Sequence, residues 1–213
     1  MKGKIFNTQE VQAIIAGNKT MFREVIKPYP ILNDDKSYWE FNGVIWAGEN
    51  SSYAKNFGDN ARPVMPDLCP YQVGQKIFVK ERFARSFDSK QERKWRPAQQ
   101  MKQEHSRLTL EITDVKVERL GEISEEDAIK EGATSRPNCH GYANIYDGWS
   151  MDWSKVGEAS KWASNGKTFS ESDACMGSAQ YAFGNSWNST HKKPEEKFEA
   201  NPWVWVIDFK INK

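Results

Sequence analysis

Over Ser106–Leu120 the side chains alternate: Leu108, Leu110 and Ile112 are apolar, while Thr109, Glu111 and Thr113 between them are polar. A period of two marks a strand with one buried and one wetter face. Val115 and Val117 continue the pattern out of phase, and a bulge or bend at Asp114 accounts for the break. A second strand is predicted over Lys76–Phe83, with Ile77 and Val79 on one face and Phe78 and Lys80 on the other. A third is predicted over Asn201–Lys210, where Trp203, Trp205, Ile207 and Phe209 form one face and Val204, Val206, Asp208 and Lys210 the other. These strands lie far apart in the chain, so they must pair non-locally.

Two helices are expected beside them. Residues 5–16 read as the first: Ile5-Phe6 leads in, Asn7 or Thr8 caps, and Val11, Ile14 and Ile15 carry helical spacing. Ile123–Gly132 reads as the second, capped by Ser124, with Asp127 at its third position and Gly132 closing it. Glu131 is the last residue before that stop. A carboxylate there opposes the helix dipole, whose carboxy end is already partly negative, and this points to a task other than helix stability. The pattern as a whole is α+β.

The stretch Ile14–Lys27 carries the chain out of the first helix. Gly17 is a stop signal, and the short segment that ends at Lys27-Pro28 reads as a turn leading into a strand. Lys19 then sits on the turn and Arg23 on the strand, with Thr20 and Glu24 beside them. Such a set can build a pocket for an anion or a nucleic base, or simply a solvated turn. Lys80-Glu81-Arg82, at the end of the second strand, reads as a charged pocket rim or as an ordinary exposed strand end. Short alternations at Tyr38–Phe41 and Val44–Trp46, split by Asn42-Gly43, read as a hairpin. Ser51–Arg62 and Asp88–Gln103 read as irregular, charged or polar loop. The segment 134–178 is rich in Gly, Ser, Asn and Asp and reads as an insertion over one mouth of the fold. Ala179–Asn188 is a ring-rich segment, and nothing repeats internally.

Composition limits the function. The 213 residues suit one domain, 1–213, with loop-rich insertions at about 30–68 and 134–178. Thirty cations against twenty-nine acids leave a net charge of +1, which argues against bulk electrostatic attachment to DNA or an anionic membrane. Nine tryptophans favour a ring-rich core or a surface that stacks on flat ligands. Cys69, Cys139 and Cys175 are scattered and read as plain thiols in a reducing cytosol; with His105, His140 and His191 they form no zinc spacing. No signal peptide or membrane-length apolar run is read, so a cytoplasmic protein with no metal, cofactor or membrane partner is expected.

Four stretches together resemble the ASCH family, a branch of the PUA-like proteins. They are GNKTMFR at Gly17–Arg23, VGQKIFVKERF at Val73–Phe83, the strand and helix at Arg107–Gly132, and the closing NPWVWVIDFK. The long form with an extended middle looks like the ASCH proteins carried by phages and prophages. The resemblance implies a small, strongly bent β-barrel with helices at its ends. Some small members are amidohydrolases that remove the acetyl group of N4-acetylcytidine with a lysine, a threonine three residues later and a helix glutamate. Lys19 matches that lysine and Glu131 the glutamate, but the threonine position holds Phe22, which cannot attack a carbonyl.

The resemblance thus makes Lys19, Glu131 and Thr20 the candidate catalytic residues. Thr20 directly adjoins the lysine and would point the other way on an extended chain. Lys19 would serve as base toward water, Glu131 would orient it or activate the water itself, and Arg23 or backbone N–H groups would stabilise an oxyanion. Arg23, Lys80, Glu81 and Trp187 are the candidate substrate-binding residues, with Trp203 and Trp205 as further stacking rings. The expected partner is a nucleoside or RNA. Alternatives are an RNA or modified-base binder without catalysis, a ribonuclease, and a phage accessory protein acting by protein contact.

Overall fold

The computed structural model describes residues 1–32, 39–41, 44–46, 68–84, 94–136, 148–153 and 176–212. Its centre is a five-stranded sheet in the order β1 (Lys2–Ile5), β6 (Lys76–Lys80), β7 (Thr109–Arg119), β10 (Trp203–Ile211), β2 (Met21–Val25). β1 runs parallel to β6, and the other neighbours are antiparallel. Two small sheets accompany it: β3 (Ile31–Leu32), β4 (Trp39–Phe41) and β5 (Val44–Trp46) in one, and β8 (Thr134–Arg136) with β9 (Gly148–Ser150) in the other. The predicted hairpin is therefore the β4–β5 pair, with its turn outside the described residues. Residues 51–62, 85–93, 137–147 and 154–175, which hold much of the predicted loop, also lie outside them.

β7 and β10 form the spine. Their pairing runs from Trp203 opposite Arg119 to Ile211 opposite Leu110, and it slips between Asp208 and Phe209, whose partners are Asp114 and Ile112. Thr113 is thus an extra residue on β7. The bulge explains why Leu110 and Ile112 share a core face with Val115 and Val117 although their sequence phase differs.

Each face of the sheet buries a separate apolar set. The inner face holds Ile77, Val79, Leu110, Ile112, Trp205, Ile207 and Phe209, joined by Phe6, Phe22 and Tyr71. The outer face of β2 and β10 offers Met21, Val25, Val204 and Val206 to two helices, α2 (Glu125–Lys130) and α3 (Ala179–Thr190). α3 is the ring-rich segment; Ser178 caps it, and Ala179, Ala182, Phe183 and Trp187 form its buried stripe.

α1 (Thr8–Ile15) starts at Asn7, whose side chain accepts from the Glu10 N–H at 2.9 Å while Glu10 accepts from the Asn7 N–H at 2.8 Å. It buries Val11 and Ile14 and ends at Gly17, where φ is +79°. The expected helical lead-in at Ile5-Phe6 is corrected: residues 2–5 are strand β1, because their backbone pairs with β6.

The expected closed barrel is corrected too. β1 and β2 are the two edges of the sheet, and the sheet rolls until those edges approach. Side chains then bridge the gap. Lys4 on β1 pairs with Glu24 on β2, and the Phe6 ring meets Phe22 edge-on at 5.7 Å between centroids. Among the described residues no backbone ladder joins β1 to β2, so the roll has a seam.

Candidate functional site

Lys19 occupies the turn between α1 and β2, and the turn is fixed from three directions. The Lys19 N–H donates to the Ala13 carbonyl at 3.1 Å, the Thr20 N–H to the Lys130 carbonyl at 2.8 Å, and the Phe209 N–H to the Thr20 carbonyl at 2.8 Å. The first anchor is in α1, the second in the last turn of α2, and the third in β10. A lysine on this turn is therefore aimed at the end of α2.

That end carries Glu131. Lys19 Nζ donates to Glu131 Oε2 at 2.7 Å and to the Glu131 main-chain carbonyl at 2.8 Å. Arg23 approaches from β2. Its Nη1 donates to Glu131 Oε1 at 3.1 Å, and its Nη2 lies 3.3 Å from both Glu118 Oε2 and Asp127 Oδ2. Glu10 Oε1 stands 3.8 Å from Lys19 Nζ. Lys19 and Glu131 are each 3% exposed. Burying charge costs several kcal/mol per ion unless the pairing is nearly complete, and here each buried charge has a charged partner. Both cations lie where the carboxy end of α2 is partly negative, which offsets the unfavourable placement of Glu131 against the dipole.

A cavity of about 330 Å³ opens beside this cluster. Lys19, Arg23 and Glu131 line it on one side, and Lys4, Phe22 and Glu24 bring it to the seam. α3 supplies Phe183, Trp187 and, just past its end, His191. Met151 and Asp152, directly after β9, contribute from the segment 134–178. At the seam the carboxyl of Glu24 is pulled in two directions. Burial raises its pKa, while the charge and hydrogen bond of Lys4 and the hydroxyl of Tyr71 outweigh that and hold it below the ordinary value.

His191 stacks flat on Trp187, with centroids 3.8 Å apart. Its Nδ1 lies 3.0 Å from the Thr190 hydroxyl and 3.1 Å from the Trp187 carbonyl. Burial lowers the His191 pKa, against the opposing pull of that carbonyl and of Glu196.

The residues singled out in the sequence separate clearly. Lys19, Arg23, Glu131 and Trp187 line one cavity, and the Trp187 indole N–H is held by the Glu196 carbonyl at 2.7 Å. Thr20 enters the turn through its backbone and is absent from the cavity lining. The structure does not bring Lys80 and Glu81 there. Lys80 donates to the Gln99 carbonyl at 2.8 Å, and Glu81 holds Arg107 through two hydrogen bonds of 2.7 and 2.9 Å. Trp205 packs against Phe41 in the core, and Trp203 lies under the Arg119 guanidinium. Phe22 faces Phe6, Tyr71 and Phe209 with centroids 5.3–6.0 Å away.

Sequence reasoning missed Glu118, Asp127 and His191. Asp127 carried a signal, since it stands four residues before Glu131 and so on the same helix face. Among the described residues no group of three or more His, Cys, Asp or Glu is placed to hold a metal ion, and no helix is long and apolar enough to cross a membrane.

No family model matches the chain, and no curated protein does. Two solved structures align with 99% of it. One is the ASCH domain from Lactobacillus crispatus JV V101, at 12% identity and a TM-score of 0.35 over 78% of that chain. The other is protein EF3133 from Enterococcus faecalis V583, family-model DUF984, at 10% identity and a TM-score of 0.37 over 80% of that chain.

Proposed function

We propose that this chain is an ASCH-type protein whose cavity takes the base of a nucleoside over the Lys19–Arg23–Glu131 cluster. The charge of the cavity wall carries this reading: the cations Lys4, Lys19 and Arg23 stand among four carboxylates, those of Glu10, Glu24, Glu131 and Asp152. A phosphate would meet an excess of carboxylate. A neutral base suits the wall better, because its amine can donate to a carboxylate and its carbonyl can accept from Lys19 or Arg23. The cavity volume is at the small end of ligand pockets, about 300–1,000 Å³, and Phe183 and Trp187 add apolar wall. The family name rests on the order of the four sequence stretches that resemble it.

The 2.7 Å contact of Lys19 with Glu131 favours a second reading, hydrolysis of the N4-acetylcytidine amide in the same cavity. Water adds to the acetyl carbon, Glu131 takes a proton from it, and the C–N bond breaks. Lys19 gives a proton to the departing cytidine amine, and acetate is the other product. Phe22 offers no nucleophile, so no acyl-enzyme forms at that position.

The test is calorimetric titration of cytidine and N4-acetylcytidine into the wild type and Lys19→Met, with chromatography for released cytidine. Melting curves recorded alongside establish that the variant is folded. Binding that weakens in Lys19→Met supports the nucleobase reading, and cytidine release that vanishes with Lys19 supports hydrolysis. If neither nucleoside binds the wild type, the reading fails.

A further inference from the structure

A second cavity, of about 520 Å³, lies on the other side of the β1–α1 connection, and Ile5, Phe6, Asn7 and Gln9 line both cavities. Its further walls include Arg82, Trp95, Pro97 and Ala98. Trp95 is 58% exposed, which is unusual for so large an apolar ring. Of the run Lys80-Glu81-Arg82, Lys80 is held by the Gln99 carbonyl and Glu81 by Arg107. Arg82 is exposed and has no ion-pair partner among the described residues.

We infer that this second cavity holds the nucleotide adjoining the one in the first, so that the substrate class is a single-stranded polynucleotide and not a free nucleoside. The inference rests on the nucleobase reading above. The two cavities divide the work by chemistry. The first has an excess of carboxylate and suits a neutral base. The second offers an exposed indole for a stacked base and a guanidinium without an ion-pair partner among the described residues for a phosphodiester, the two elements from which single-strand binding surfaces are built. The two cavities share Ile5, Phe6, Asn7 and Gln9 as a common wall, so consecutive nucleotides can occupy both.

The probes are free cytidine, a uridine-flanked cytidine RNA pentamer and its DNA counterpart, titrated into the wild type, Trp95→Ala, Arg82→Ser and Lys19→Met. Both side chains at the second site are exposed, so their loss leaves the fold intact. The pentamers should bind tighter than cytidine. Trp95→Ala should weaken a pentamer about 5- to 150-fold, the range for one stacked base, and leave cytidine unchanged. Arg82→Ser should flatten the salt dependence of pentamer binding by about 0.7 in log Kd per log salt, the effect of one phosphate on a single strand. Pentamer binding that Lys19→Met weakens and Trp95→Ala leaves alone would overturn this inference and spare the nucleobase reading. Pentamer binding lost in Trp95→Ala and untouched in Lys19→Met would support a nucleotide at the second cavity and remove the base from the first. No binding of any probe would overturn both.

Discussion

Lys19 bonds Glu131 twice, through the carboxylate at 2.7 Å and through the main-chain carbonyl at 2.8 Å. The pair joins the α1–β2 turn to the end of α2, and both partners are buried. Removing one member leaves the rest of the cluster charged and short of a partner. Glu131→Ala should therefore destabilise the fold by about 3–5 kcal/mol, the range for breaking a buried ion pair. Adding Lys19→Met to it should recover part of that loss. Urea denaturation of the two single variants and the double variant measures the coupling, and strictly additive effects would contradict it.

Gly132 adjoins Glu131 with φ at +112°, and a Cβ built there would lie 3.5 Å from Lys19 Cβ, an ordinary contact. The cost of Gly132→Ala should thus come from the backbone, about 1–3 kcal/mol for a strained position. Gly17→Ala, at φ +79° with open space around it, should show a similar loss. Only the Gly132 variant should also weaken nucleoside binding, because only Gly132 directly supports Glu131. Equal binding by both variants would contradict this.

Phe22→Thr places a hydroxyl three residues after Lys19, the position to which the sequence resemblance assigns a nucleophile. On β2 the alternation puts position 22 on the inner face with Phe209, and position 23 on the outer face with Met21 and Val25. The expected outcome is a stability loss of about 3–5 kcal/mol, as for other truncations of a buried Phe, with no gain in cytidine release. The measurement is chromatography below the melting point of the variant, and release above the wild-type level would contradict it.

His191 predicts a pH response. Its folded-state pKa lies below the ordinary 6.5, so folding favours the neutral ring. The stabilisation is complete above 6.5 and is lost as pH falls through the folded value. Glu24, also lowered, contributes in the same direction only below its ordinary 4.5. Melting temperatures of the wild type should begin to fall just below pH 6.5, and His191→Gln should remove that first step and keep the more acidic one. An unchanged profile in the variant would contradict the assignment.

The parts of the fold that repeat a period were legible in the sequence. β7, β10 and α2 follow from alternation and capping, and the phase break near Asp114 is the extra residue Thr113. Glu131 stood out because a carboxylate at a helix carboxy end is electrostatically misplaced, and its two cations are what offset that placement. β1 gave no such signal. It is four residues long with two lysines and Gly3, and its partner β6 is some seventy residues away. An added Cβ at Gly3 would come within 2.6 Å of Phe78 Cζ and force that ring to shift, but the crowding exists only once the strands pair. Glu118 and His191 were unreadable for the same reason, because their roles depend on which surfaces the roll brings together.

The seam between β1 and β2 forms one side of the cavity through Lys4, Phe22 and Glu24. A backbone ladder would lock neighbouring strands about 4.8 Å apart, whatever the side chains. Here the edges are held by the reach of Lys4 and Glu24, two partly exposed side chains that the main sheet does not need for its own pairing. The gap at that wall is thereby an adjustable dimension: exchanging two side chains for shorter or longer ones resizes it and leaves every strand in register.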